Sequence, residues 1–169
     1  MKIMKSFFVL VLFLSLLSCS KENVFDYPDL ITGGYVGTES VKVKYSELGL
    51  NYSDTVYNSN VNFTISKDLN SQGVKFSEDN VFKFKAENIT LKENAIVFTI
   101  PVQSLWDSGS EIEIQGFNCY SLKGVYYTGV YDILTNELNY GYKGFLIYKN
   151  GHSITVNVPF EVVRTATKN

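Results

Sequence analysis

Apolar and polar residues alternate along most of this chain, and no segment keeps a helical period over ten residues. Period-two alternation is typical of β-strands that bury one face, so the sequence predicts an all-β fold. Five segments show the pattern most clearly. Their core-facing residues are Val41, Val43 and Tyr45; Val61, Phe63 and Ile65; Phe82, Phe84 and Ala86; Ile96, Phe98, Ile100 and Val102; and Ile112 and Ile114.

The clearest turn lies near the C-terminus, where Asn150-Gly151 separates two apolar runs. Asn-Gly favours a two-residue type I′ hairpin, which pairs Lys149 with His152 and Phe145 with Val156. This register predicts a core face and an outer face. The core face holds Phe145, Ile147, Ile154, Val156, Val158 and Phe160, and the outer face holds Tyr142, Leu146, Tyr148, Ser153, Thr155 and Asn157.

A second hairpin is predicted to join residues 125–131 to residues 138–148 through a turn at 132–137. In all we expect about eight antiparallel strands in a single domain of roughly 140 residues. Because consecutive hairpins explain most of the connections, a single small antiparallel β-barrel is favoured, and a β-sandwich is the alternative.

The N-terminus combines Lys2 and Lys5, a short apolar run and the sequence Leu16-Leu17-Ser18-Cys19. It resembles the lipobox of bacterial lipoproteins, in which a signal peptide is removed just before a cysteine that carries lipid. The apolar run is far shorter than the roughly 20 residues of a membrane-spanning helix. We therefore expect a signal peptide over 1–18, the lipidated Cys19 with a tether over 19–30, and the folded domain over 31–169.

The expected location is the bacterial cell envelope, anchored by lipid to the periplasmic or surface leaflet of the outer membrane. Removing Lys2 and Lys5 with the signal leaves 13 of the 15 basic residues against 17 acidic ones, a formal charge of −4. That balance predicts no nucleic-acid partner. Once Cys19 carries lipid, Cys119 has no cysteine to pair with, and we expect it to be a buried apolar residue.

Two short signatures carry a family resemblance. They are Gly34-Tyr35-Val36-Gly37-Thr38 before 41–45, and Tyr131-Asp132 with Thr135-Asn136-Glu137-Leu138 before a tyrosine-rich strand. Together they resemble the calycin-like β-barrel lipoproteins of bacterial envelopes. The resemblance implies a small barrel with a central cavity for an apolar ligand, and it brings no catalytic residues. The chain departs from true lipocalins in having Tyr35 near the position of their Gly-x-Trp tryptophan.

No catalytic site, metal site or cofactor is predicted. His152, the only histidine, is expected beside a turn, without a nucleophile in its context. Glu111 and Glu113 share one side of a strand, which is more typical of a solvated face than of a glycosidase pair. Residues 68–79 have a calcium-loop spacing, but their flanks resemble strands where an EF-hand needs helices. The members of that spacing are Asp68, Asn70, Gln72, Gly73, Val74, Phe76 and Asp79.

Tyrosines are concentrated in the last third of the chain. Tyrosine offers a large contact area with a polar tip and is typical of binding surfaces, although cross-strand aromatic pairing needs no ligand. The candidate binding surface consists of Tyr126, Tyr140, Tyr142, Tyr148 and Trp106.

We therefore expect a non-enzymatic, lipid-anchored envelope barrel that binds a small apolar ligand or a partner protein. The alternatives are an accessory subunit of a surface assembly, joined through an open edge strand, and an envelope inhibitor of a lysozyme or protease.

Overall fold

The computed structural model describes residues 26–48, 53–78, 82–107, 110–150 and 154–169. Over these ranges it has one short α-helix, a 3-10 helix (Tyr45–Leu48) and twelve β-strands, so the predicted all-β fold is confirmed. The elements are α1 (Tyr27–Ile31), β1 (Gly33–Val43), β2 (Thr55–Lys67), β3 (Val74–Glu78), β4 (Phe82–Lys92), β5 (Ala95–Thr99), β6 (Gln103–Asp107), β7 (Ser110–Gly116), β8 (Tyr120–Leu122), β9 (Val125–Tyr127), β10 (Gly129–Asp132), β11 (Glu137–Asn150) and β12 (Ile154–Lys168).

Ten of the strands form one antiparallel sheet in the order β10-β5-β4-β3-β2-β1-β12-β11-β7-β6, and β8 and β9 form a separate hairpin. Because β10 also pairs with β11, the sheet partly closes into a ring. The end of the ring that carries α1 and Asn169 is called the upper end here. The opposite end, next to the 3-10 helix, is the lower end.

The long strand β11 is paired differently at its two ends. Residues 137–140 of β11 pair with β10, and residues 142–147 pair with β7. β10 in turn pairs with β5, and β7 pairs with β6. Gly129, the first residue of β10, lies beside Phe98 of β5, where a Cβ atom would come within 2.1 Å of the ring. A larger residue at this position would therefore force the buried Phe98 ring to move.

Aromatic side chains fill the inside of the upper half. The ring centroid of Phe76 lies 4.7 Å from that of Phe84 and 5.0 Å from that of Tyr140. The ring centroids of Tyr35 and Phe63 are 5.3 Å apart. All five side chains are buried. They come from β1, β2, β3, β4 and β11, so their packing holds most of the ring together.

The helix α1 covers the upper end. Ile31 is fully buried, and the Tyr35 hydroxyl donates a hydrogen bond to its carbonyl oxygen at 2.8 Å. Lys67 at the end of β2 forms ion pairs with Asp26 and with Asp29, the latter at 2.7 Å. The part of the predicted tether from Asp26 onward therefore lies against the sheet.

The predicted register of the last hairpin is wrong. Lys149 pairs with Thr155 rather than His152, and Phe145 pairs with Pro159 rather than Val156. The partner of each β11 residue moves by three positions, and an odd shift turns one strand over relative to the other. Phe145 is consequently exposed, and Tyr142, predicted to lie on the outer face, is buried.

Two other residues predicted to face the core lie outside strands. Tyr45 lies in the 3-10 helix, and Val102 is exposed between β5 and β6. Proline has no backbone N–H to donate, so Pro101 interrupts the ladder just before Val102. In the described ranges, none of the helices has the length and apolar character required to cross a bilayer.

Candidate functional site

The structure describes the side chains of three of the five residues of the predicted tyrosine-rich surface, and these three do not form one exposed surface. Tyr140 and Tyr142 are buried in the core, whereas Tyr126 is 61% exposed on β9. The side chains of Tyr148 and Trp106 lie outside the described residues, although their backbones belong to β11 and β6. The placement of Tyr140 and Tyr142 in a binding surface was wrong because it followed the mistaken hairpin register.

A buried ionic cluster lies where the upper and lower halves meet. Arg164 of β12 is 3% exposed, and its Nε and Nη2 atoms donate hydrogen bonds to Glu39 at 2.9 and 2.7 Å. Nη2 also donates to Glu78 at 2.9 Å, and Nη1 donates to the Tyr140 hydroxyl at 3.0 Å. The guanidinium carbon lies 5.6 Å from the ring centroid of Tyr142. One side chain therefore joins β1, β3, β11 and β12.

Burial dominates the electrostatics of this cluster. It lowers the pKa of Arg164, and the charge of Glu39 opposes that change. Burial also raises the pKa of Tyr140 and of Tyr142 well above the usual range, so both hydroxyls stay protonated. The cluster consists of a cation held by two carboxylates and a neutral hydroxyl. This arrangement orders the interior and presents no activated nucleophile among its members.

Sequence reasoning missed this cluster. Its members lie at positions 39, 78, 140 and 164, and no local motif joins them. The one available signal was Arg164 itself, which interrupts the inward-facing series of Val162 and Ala166 on β12. An inward charge on a strand requires a buried partner, but the partner is set by the topology of the sheet.

Asp68, the first position of the calcium-loop spacing, lies in a cluster of polar and basic groups. Its carboxylate is buried and contacts Lys75 Nζ at 2.8 Å and Lys85 Nζ at 3.0 Å. The Ser71 hydroxyl donates to it at 2.9 Å and the Asn70 backbone N–H at 3.3 Å. These contacts, led by the two lysines, hold the pKa of Asp68 well below its usual range. Its oxygens are therefore engaged by donors from the same end of the sheet.

The remaining candidate groups from the sequence are scattered. Cys119 is half-buried, and desolvation raises the pKa of its thiol to about 11, which makes it a weak nucleophile at neutral pH. Glu113 is exposed on β7. His152, Asp79 and the side chain of Glu111 lie outside the described residues.

The described strands leave an opening in the sheet at the lower end. β3 ends at Glu78 and β4 begins at Phe82, and β3 pairs only with residues 63–67 of β2. Below that point no described strand lies next to β2 on the side away from β1. The inner face here is bordered by partly buried apolar side chains. They are Val41, Val61, Phe82, Leu105, Ile112 and Phe160.

The start of β2 lines a hollow at this end. The hollow has a volume of about 580 Å³ and is bordered by Tyr45, Ser53, Thr55 and Tyr57. Tyr57 is 54% exposed and its neighbour Val56 is 53% exposed, on opposite faces of the strand. The described part of the lower end therefore combines an unpaired strand edge, exposed apolar side chains and a concave surface.

No family model matches this sequence, and no curated protein matches it significantly.

Proposed function

We propose that this chain is a non-enzymatic, lipid-anchored protein of the bacterial envelope that binds a partner protein at its lower end. The observation that carries the proposal is the opening beside β2, where an edge of the sheet and apolar side chains are accessible. A monomeric domain seldom leaves such an edge unprotected, because it can pair with another chain.

We further propose that the partly closed ring is a small calycin-like β-barrel with eight strand positions. Support comes from the strand order. β5 and β6 together occupy one strand position, and β7 and β10 together occupy another. The last strand, β12, pairs with the first, β1. Each position then neighbours its successor along the chain, as in an up-and-down barrel. The short signatures around Tyr35 and Tyr131 are consistent with this family.

The partner is a protein rather than a small apolar molecule in the lumen. A lumen ligand needs an open cavity, and the upper half of the ring is filled by packed aromatic rings. Just below them Arg164 and its two carboxylates bring charge to the inside of the ring. An apolar ligand would have to displace both.

The anchor would orient this binding end. Asp26 lies seven positions after Cys19, which is at most about 25 Å of extended chain. Asp26 is fastened to the upper end through Lys67. A lipid on Cys19 would therefore hold the upper end near the membrane and direct the lower end away from it. A second candidate, an accessory subunit of a surface assembly, is favoured by the same open edge.

The anchor is tested by labelling cells with a radioactive fatty acid and recovering the protein. We expect label on the wild type and on Cys119→Ala, and none on Cys19→Ala, which should also leave the membrane fraction. The two variants remove the same chemical group at different places. Label that persists on Cys19→Ala would refute the lipid anchor.

Partner binding is tested by treating intact cells with an amine-reactive cross-linker and recovering the mature chain. We expect a discrete adduct with a second protein. Native mass spectrometry of the detergent-released mature chain, mixed with envelope lipid extract, should show the bare chain mass. A discrete added mass that survives dilution, without a protein adduct, would instead support a lumen ligand and refute the proposed function.

A further inference from the structure

The lower half of β2 is an open strand edge among the strands that the structure describes. All eleven residues from Thr55 to Ile65 pair with β1, but only residues 63–67 pair with β3. On the side away from β1, residues 55–62 have no neighbour among the described strands. In an antiparallel ladder alternate residues direct their N–H and C=O groups to one side, so about four residues here present unpaired backbone groups.

Within the described ranges, this edge lacks the features that protect exposed edges in other proteins. Native edge strands are protected by charged residues, prolines, bulges or a covering element. Residues 55–62 have the sequence TVYNSNVN, which contains no charge, no proline and no glycine. Their pairing with β1 runs without a register shift. The segment therefore keeps the regular geometry that a further strand requires.

The opposite border of the opening is partly sealed. The Lys85 backbone N–H of β4 donates to Gln103 Oε1 at 2.8 Å, and Gln103 Nε2 donates back to the Lys85 carbonyl at 2.9 Å. The side-chain amide of Gln103 thus forms the two hydrogen bonds that a neighbouring strand would form with Lys85, and it connects β6 to β4. β2 has no equivalent device in the described residues, so the two borders of the opening differ.

We infer that residues 55–62 of β2 are a strand-addition site, to which an extended, uncharged segment of a partner protein pairs and so continues the sheet. This inference rests on the proposed function and specifies how the partner is held. Inward side chains of the added strand would pack beside Tyr57, Val61 and Phe82, which favours apolar residues at every second position. Backbone hydrogen bonds would supply the pairing.

The occupant is a different protein rather than a second copy of this chain. Two copies paired through the same edge would be related by a twofold axis, and their β2 strands would run antiparallel. Their upper ends would then point in opposite directions. β2 has thirteen residues and spans about 43 Å, whereas the anchor tether reaches at most about 25 Å. Two anchored copies are therefore disfavoured, and a segment arriving from the side away from the membrane is favoured.

The experiment places a photo-cross-linking benzoylphenylalanine in the full chain, in its own cells, at Val56, Asn58 or Asn60. These three residues are exposed and share the outer face of the edge. We expect each position to cross-link to the same segment of one partner. As the probe moves by two residues along β2, the cross-linked residue identified by mass spectrometry should also move by two residues along that segment. The control position is Val36, which is 49% exposed on β1 but lies between two paired strands, and it should give no such series.

A matched pair of substitutions extends the test. Val56→Lys and Val36→Lys add the same charge at two similarly exposed valines, and only Val56 is at the open edge. We expect Val56→Lys to reduce the cross-linked complex at least about tenfold and Val36→Lys to leave it unchanged. Both variants should retain the wild-type circular dichroism spectrum.

Each other outcome refutes the inference in a recognisable way. Adducts between two copies of this chain would show that self-pairing occupies the edge. Adducts with many proteins and no two-residue progression would show an unspecific apolar contact. If the amine-reactive cross-linker captures a partner and the edge positions do not, strand addition fails while the proposed function stands. If neither captures a partner, both fail.

Discussion

The two halves of this molecule differ in how completely their strands are paired. In the upper half the ring closes through β10, and aromatic side chains from five strands are buried against one another. In the lower half no described strand lies beside β2 on the side away from β1, and Val56 and Tyr57 are about half exposed. The comparison teaches that the packed aromatic core and the pairing of β2 with β3 both end near Glu78. We expect stability to reside above that level and binding below it.

The largest expected change in the free energy of unfolding comes from a core substitution in the upper half, and a matching substitution in the lower half should change it little. Phe76→Ala in the upper half should lower the free energy of unfolding by about 3–5 kcal/mol, because it leaves a cavity among four other rings. Tyr57→Ala in the lower half should change it by less than about 0.5 kcal/mol. Urea denaturation followed by fluorescence measures both. Equal losses would show that the lower half is as well packed as the upper.

A slightly smaller effect is expected at the boundary between the halves. Arg164→Ala leaves Glu39 and Glu78 without their cation and should cost about 3 kcal/mol, the lower end of the range for broken buried pairs because both carboxylates are partly exposed. The triple variant Arg164→Met, Glu39→Gln, Glu78→Gln should recover most of that loss. A single variant as stable as the wild type would show that the cluster does not join the halves.

A third prediction concerns the pH dependence of the upper end. Hydrogen bonds from Lys75 and Lys85 hold the folded-state pKa of Asp68 below the value of about 3.9 that it has when unfolded. Its stabilisation is therefore complete above about pH 5 and is lost progressively as the pH falls below that value. Thermal melts of Asp68→Asn should lie below those of the wild type at pH 6–8, and the gap should narrow below pH 4. The exposed carboxylate variant Glu87→Gln should show a smaller gap at every pH.

The mildest test requires no substitution and compares two parts of one strand. Amide protons of residues 63–65, which are paired on both sides, should exchange with deuterated water slowly. Those of residues 55–62 that face away from β1 should exchange about a hundredfold faster. Uniform protection along β2 would show that something covers the lower edge already.

Local patterns predicted much of the fold. The alternation at Val61, Phe63 and Ile65 lies in β2 with the expected faces, and the turn at 132–137 forms as anticipated. In that turn the Asp132 carboxylate accepts the N–H groups of Leu134 and Thr135, and Asn136 takes a positive φ of 57°. Such turns are governed by residues that are close in sequence, so the sequence suffices to find them.

Longer-range features were beyond local reasoning. The last hairpin was predicted from Asn150-Gly151, yet Asn150 pairs with Ile154. Turn chemistry favoured one register, and packing of Tyr140 and Tyr142 into the core favours another that differs by an odd number of residues. Tyr140 and Tyr142 were placed in the tyrosine-rich surface, which required them to face outward, and both are buried instead.

By itself the sequence determined that this chain forms antiparallel strands, where most of them lie, and which faces of β1, β2 and β4 turn inward. Those features depend on the period of two and on short turns, which are local properties of the chain. Only the tertiary structure decided that Arg164 meets Glu39 and Glu78, that β10 pairs with both β5 and β11, and that residues 55–62 have no described neighbour on the side away from β1. These features depend on how far each strand extends beside its neighbours. That extent is set by packing among residues up to 125 positions apart.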